Sequence, residues 1–277
     1  MDWLKRSLDP AAGTAPSSAP PEAPVAATAA PGALPGRLGK DRFGYSMPVD
    51  APLYQRPPFY YRDARALTIM YETDAESAQD LLPEGLELPL PASARLMVVR
   101  YPFSTFGPYD EAILGLECRW QGEPRFYIAH IVLTTVPPLV GGREVWGFPK
   151  KLAHIELRQE QELIRGVVER PQGTRLATAV MRPERPLELP PTPGGGTLSL
   201  RVIPSPEEGQ PPSLAQLIEI PAADWRTHEM WAGSGTLSLD ARSDLDPWHR
   251  LPVRQIKGAL YARYDFTLPY GRVLKTY

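Results

Sequence analysis

The sequence predicts a mainly β protein, an antiparallel barrel or double-sheet domain carrying a few short helices. Three observations lead there. About a dozen short segments rich in β-branched or alternating apolar residues are split by turn residues. They do not alternate with long helical patterns, which disfavours a parallel α/β sheet. The length, 277 residues, is ordinary for a single all-β domain.

The elements follow in order. Residues 1–42 are mostly Ala, Pro, Ser and Gly after the opening Met1–Arg6. Such a segment buries too little apolar surface to offset its ordering entropy, so a disordered tail leaning to polyproline II is expected. The folded domain is expected over 43–277. Arg65–Tyr71 reads as a strand. Thr73-Asp74-Ala75-Glu76 has the capping-box pattern, with Thr73 as N-cap, opening a short helix through Ala78, Leu81 and Leu82 that Pro83 ends. Strands are expected over Arg95–Tyr101, Glu111–Trp120, Arg125–Val136, Ala153–Gln159, Leu163–Glu169 and Arg175–Met181. Pro171-Gln172-Gly173 reads as a hairpin tip and Pro190–Gly196 as a loop. Thr197–Ile203, Leu217–Ile220, Gly235–Asp240 and Val253–Leu268 complete the strands.

Several chemistries are excluded by what is missing. A formal charge of −2 without a basic run argues against nucleic acid. The single cysteine, Cys118, has no internal disulfide partner and reads as a buried thiol. No apolar run approaches the ~20 residues of a membrane helix, and no signal-peptide core follows the first residues; a cytoplasmic location is expected. His130, His154, His228 and His249 do not pair at metal-ligand spacing. There is no nucleophile elbow and no dinucleotide-binding glycine pattern, and Gly194–Gly196 lacks the lysine of a phosphate loop. The expectation is a mechanism without cofactor or metal. Imine chemistry on a lysine is one of the few routes of that kind.

One stretch offers such a lysine: Gly141-Gly142-Arg143-Glu144-Val145-Trp146-Gly147-Phe148-Pro149-Lys150-Lys151-Leu152-Ala153. A lysine is nucleophilic only as the free amine. Apolar surroundings and a second positive charge both disfavour the ammonium, and the stretch supplies aromatics and a second lysine. If the segment is extended, Trp146 and Phe148 face one side. By the same period of two, Lys150 and Lys151 leave on opposite faces, so desolvation is expected to act on the reactive lysine more than its neighbour does.

Gly142-Arg143-Glu144 followed by Pro149-Lys150-Lys151-Leu152 resembles the core motif of the acetoacetate decarboxylases. The resemblance extends through Tyr71–Asp74, Leu82–Glu87 and His228–Gly233, and covers roughly residues 43 to 277. That family is itself the known case of a lysine activated by a neighbouring cation. The resemblance implies Lys150 as the Schiff-base lysine, Lys151 as the neighbour that perturbs it, and Glu111 as an active-site glutamate. Ala64 stands where the family has a substrate-side arginine, flanked by Arg62 and Arg65, and Leu96 where it has a second glutamate. Arg62 or Arg65 is expected to replace the missing arginine. Arg143 either holds a carboxylate or pairs with Glu144, and Trp146 and Phe148 either line an apolar wall or pack in the core. The implied activity is decarboxylation of acetoacetate or a related β-keto acid, in a homo-oligomer acting on a small oxo acid. The alternatives are an imine-forming aldolase or dehydratase on another oxo acid, and a barrel that only binds a small ligand.

Overall fold

Alternation of apolar and polar side chains writes most of this protein as strands. The computed structural model describes residues 32–188 and 196–277. Most of the tail expected over residues 1–42, and nearly all of the Pro190–Gly196 loop, lie outside the described residues. Residues 32–43 carry one 3-10 turn, Lys40–Arg42. In Gly44–Tyr277 the strands are β1 (Phe59–Glu72), β2 (Leu86–Glu87), β3 (Ser93–Tyr101), β4 (Phe103–Ser104), β5 (Tyr109–Trp120), β6 (Glu123–Leu133), β7 (Lys150–Leu152) and β8 (His154–Glu160). They continue as β9 (Leu163–Glu169), β10 (Arg175–Pro186), β11 (Gly196–Ile203), β12 (Leu214–Ile220), β13 (Ala223–Ser238), β14 (Gln255–Leu268) and β15 (Arg272–Thr276).

All fifteen belong to one sheet whose main path runs β15-β12-β11-β6-β5-β3-β1-β14-β13-β10-β9-β8. Pairing is antiparallel except where β6 meets β11 and β7. The two ends of the path, β15 and β8, do not pair with each other. The fold is therefore mainly β, with register shifts in several ladders, but the sheet is not closed, and "barrel" describes it only loosely.

The central strands are buried on both faces, so one continuous sheet organises two cores. Leu67, Ile69 and Tyr71 of β1 join Leu96 and Val98 of β3 in one cluster. Ala64 and Ala66 of β1 join Val99 and Tyr101 of β3 in the other. A register shift between Tyr61 and Ala64 puts Phe59 and Tyr61 in the second cluster as well, as a bulge does when it reverses the facing of later residues.

Two helical expectations change. The helix α1 spans Ala75–Gln79, and its N-cap is Asp74 rather than Thr73. The Asp74 carboxylate accepts from the Ser77 backbone N–H at 3.1 Å, a stronger acceptor placed one residue later than the hydroxyl. Helix α2, Val136–Gly141, runs straight into a π-helical turn over Gly142–Trp146. The strand expected up to Val136 stops at Leu133. Pro137 and Pro138 sit in the first turn of this helix, where they forfeit no intrahelical hydrogen bond. The hairpin tip is as expected: Gly173 has φ +88°, and the Thr174 N–H donates to Pro171 O at 2.9 Å.

Candidate active site

The second core is not completely filled. A cavity of about 230 Å³ opens between β3, β5, β6 and the β12–β14 region. Most of its wall is apolar, including Met97, Ile113, Ile128, Ile131 and Phe266. The only cations lining it among the described residues are Lys150 and Arg95.

Lys150 sits on the short strand β7, which pairs with β6 at Ile131. It is 5% exposed, and its Nζ lies 2.8 Å from Glu111 Oε2, itself 4% exposed. Glu111 comes from β5, opposite Val99 of β3 and Leu133 of β6. Its other oxygen, Oε1, accepts from Tyr101 Oη at 3.3 Å. The Tyr61 and Tyr109 hydroxyls lie 3.1 Å apart beside them. Burial, and then the charge of Glu111 or a neighbouring phenol, pushes the pKa of Tyr101 and Tyr109 well above its ordinary value. Burial also raises that of Tyr61. All three therefore stand as protonated hydroxyls at neutral pH.

The glycine-rich stretch shapes this floor. An added Cβ on Gly142 would stand 2.6 Å from Lys150 Cδ and 2.8 Å from Cε, so the glycine leaves the channel through which the lysine chain passes. Gly147 ends the π-helical turn with φ +74°, and a Cβ there would meet the Arg201 backbone at 2.3 Å. Only glycine suits both demands. The turn is closed by the Phe148 N–H donating to Gly142 O at 3.1 Å. The segment is thus helical up to Trp146 rather than extended, although the Trp146 and Phe148 rings still lie side by side, 5.8 Å apart and inclined at 30°.

The residues anticipated from sequence divide clearly. Lys150, Glu111 and Phe148 line the cavity. Lys151 leaves β7 on the other face, where its Nζ reaches Asp246 Oδ1 at 3.0 Å and also the Leu245 carbonyl. Arg143 donates to the Lys150 carbonyl at 3.2 Å and so holds β7 from behind. Trp146 is buried, its indole N–H on Pro269 O at 3.0 Å. Arg62 donates to Tyr61 O at 2.7 Å and to Phe266 O at 3.3 Å, and Arg65 pairs with Asp63 at 2.7 Å. Neither arginine lines the cavity.

Sequence reading passed over Arg95 and the three tyrosines. Arg95 lies on the same face of β3 as Met97 and Val99, and its guanidinium stands 3.7 Å from the centroid of the Phe126 ring. Burial holds its pKa below the ordinary range, against the pull of Glu117. A detectable signal existed: one arginine inside the apolar run Ala94–Val99, on the facing parity of Glu111. Among the described residues no three His, Cys, Asp or Glu side chains gather as a metal site, and no helix is long and apolar enough to cross a membrane.

A family model described as acetoacetate decarboxylase matches residues 46–277. The chain belongs to the acetoacetate decarboxylase family. Acetoacetate decarboxylase 2 of Mesorhizobium japonicum is 32% identical over 238 residues, covering 84% of this chain and 89% of that one. The crystal structure of acetoacetate decarboxylase from Legionella pneumophila superposes with a TM-score of 0.77 at 29% identity, covering 88% of this chain and 99% of that one. The enduracididine biosynthesis enzyme MppR, complexed with pyruvate, shares the fold at a TM-score of 0.71 and 21% identity over 84% of this chain and 98% of that one. Membership in the acetoacetate decarboxylase family accounts for the mainly β architecture and for the lysine motif at Pro149–Leu152.

Proposed function

We propose that residues 43–277 form a cofactor-independent, Schiff-base-forming lyase that decarboxylates acetoacetate or a related β-keto acid. One observation carries the reading: a lysine 5% exposed, facing a ligand-sized cavity, with a carboxylate 2.8 Å from its Nζ. A proton passed from Nζ to Glu111 frees the amine. The free amine then attacks the keto carbon. Glu111 returns the proton to the carbinolamine oxygen, which departs as water and leaves an iminium.

The iminium takes up the electron pair of the bond to the carboxylate, carbon dioxide leaves, and an enamine remains. An apolar wall that includes Ile113, Ile128 and Ile131 disfavours a full charge on the departing carboxylate. That charge spreads into the iminium as the bond breaks. Glu111, held by Tyr101, takes up a proton from solvent water and passes it to the enamine carbon; water then adds to the resulting iminium, and hydrolysis releases the ketone and Lys150. Phe148 lines the wall. Arg143 holds the Lys150 backbone, and Lys151 ties β7 to Asp246; both are positioning residues in this scheme.

The test is trapping. The protein is incubated with acetoacetate and borohydride, then digested and mapped by mass spectrometry. A reduced adduct on Lys150, with carbon dioxide and ketone released when borohydride is omitted, is the expected result. Folded protein that yields no adduct with any oxo acid sinks the reading. Family membership is also the ground for proposing a homo-oligomer, checked by light scattering; the proposed setting is the cytoplasm.

A further inference from the structure

The cavity is polar at two separated places. At the floor are Lys150 and Glu111, each about 5% exposed. At the other end stands Arg95, whose side chain is 30% exposed. On the β3–β5 ladder Arg95 pairs with Gly115, four residues along β5 from Glu111. At ~3.3 Å per residue this sets the two backbones about 13 Å apart along the strand. Met97, Ile113 and Ile128 line the stretch between them.

Arg95 has one charged partner, the partly exposed Glu117, and otherwise faces the cavity. Its face lies on the Phe126 ring, so stacking uses the plane of the guanidinium and leaves the in-plane donors to other partners. Gly115 makes that stack possible, because a Cβ there would stand 2.5 Å from Phe126 Cζ. The Nε is buried and has no hydrogen-bond partner among the described residues. Glu117 Oε1 is 3.3 Å from it but is not aligned as an acceptor, and Glu117 is itself 43% exposed. A buried donor without an acceptor costs free energy that a ligand recovers on binding.

We infer that Arg95 binds a second anionic group of the substrate, remote from the reacting carbonyl. The preferred substrate class is then a β-keto acid whose tail ends in a carboxylate, with an apolar chain between the two acids. This rests on the imine reading of Lys150 and extends it from reaction to substrate. Acetoacetate, with one carboxylate next to its reacting carbon, leaves Arg95 unused.

The test reads binding separately from chemistry. Inert α,ω-alkanedioates of six to ten carbons and the matching alkanoates are titrated calorimetrically into the full chain and into Arg95→Met and Arg95→Lys. One diacid length is expected to bind about ten- to a hundredfold tighter than its monoacid, the worth of one charge-assisted hydrogen-bonded contact. That ratio is expected to fall to near one in Arg95→Met and to be kept in part by Arg95→Lys. Because each ratio is taken within one protein, a general loss of folding does not imitate the effect. Equal binding of diacid and monoacid in the unaltered protein, or a ratio unmoved in Arg95→Met, overturns the inference. Borohydride trapping with acetoacetate, run alongside, reports on Lys150 alone, so failure of the imine reading and failure of the Arg95 assignment are told apart.

Discussion

Lys150 and Lys151 are adjacent in the chain and serve opposite sides of the sheet. The first points into the cavity at Glu111; the second leaves the other face for Asp246, which Arg170 Nε also contacts at 2.9 Å. The Lys151 charge is thus spent on a buried carboxylate. Replacing Lys151 by Met is expected to lower stability by about 1 kcal/mol, a partly exposed charged hydrogen bond. Adduct formation on Lys150 is expected to slow, because β7 loses its tie to Asp246. A trapping rate unchanged in the variant would show that the tie to Asp246 does not position Lys150.

Glu111 is expected to be the main proton carrier. Glu111→Gln keeps the shape and most of the packing but accepts no proton. Turnover of a β-keto acid should fall by about 10²- to 10⁴-fold. Steady-state kinetics on a variant whose thermal unfolding has been measured gives the answer.

The buried pair also sets a stability expectation. Lys150→Met leaves Glu111 buried with Tyr101 as its remaining partner, at a cost of about 3–5 kcal/mol. The double variant Lys150→Met with Glu111→Leu is expected to recover most of that loss, since two apolar side chains suit the cavity's isoleucine wall. Urea unfolding of the three proteins measures both steps.

The two glycines of the motif predict different failures. Gly142→Ala pushes on the Lys150 side chain at 2.6 Å and misplaces the amine, lowering the trapping rate by about 10²-fold with little change in fold. Gly147→Ala meets both a positive φ and the Arg201 backbone, and is expected to lose at least about 2 kcal/mol of stability. Comparing denaturation midpoints with adduct rates separates the two behaviours.

His130 gives a pH prediction. Its pKa is pushed down to about 4, first by burial and then by the Lys151 charge, against the pull of Asp246. The folded protein takes up this proton later than the unfolded chain, whose histidine titrates near 6.5. The contribution is complete above pH ~6.5, is lost as pH falls from there to about 4, and amounts to about 3 kcal/mol. His130→Phe should flatten the acid limb of a stability–pH curve within that window.

What the sequence determined by itself was local. Period-two alternation made the strands, Pro171–Gly173 made a hairpin tip, and the Pro149–Leu152 motif singled out Lys150 for an imine. The same period implied that Lys150 and Lys151 diverge. What it left open was which face meets the cavity and which distant side chains arrive there. Arg62 lies inside the bulge of β1, tied to the Tyr61 and Phe266 carbonyls, and Arg65 stands one residue beyond it, paired with Asp63, whereas Arg95 reaches the cavity through its register on Gly115. Pro137 and Pro138 concealed a helix because their effect depends on being in its first turn. Facing, register and closure are decided by pairing between strands far apart in the chain. Only the folded sheet brings β3, β5, β6 and β7 together, and with them Arg95, Glu111 and Lys150.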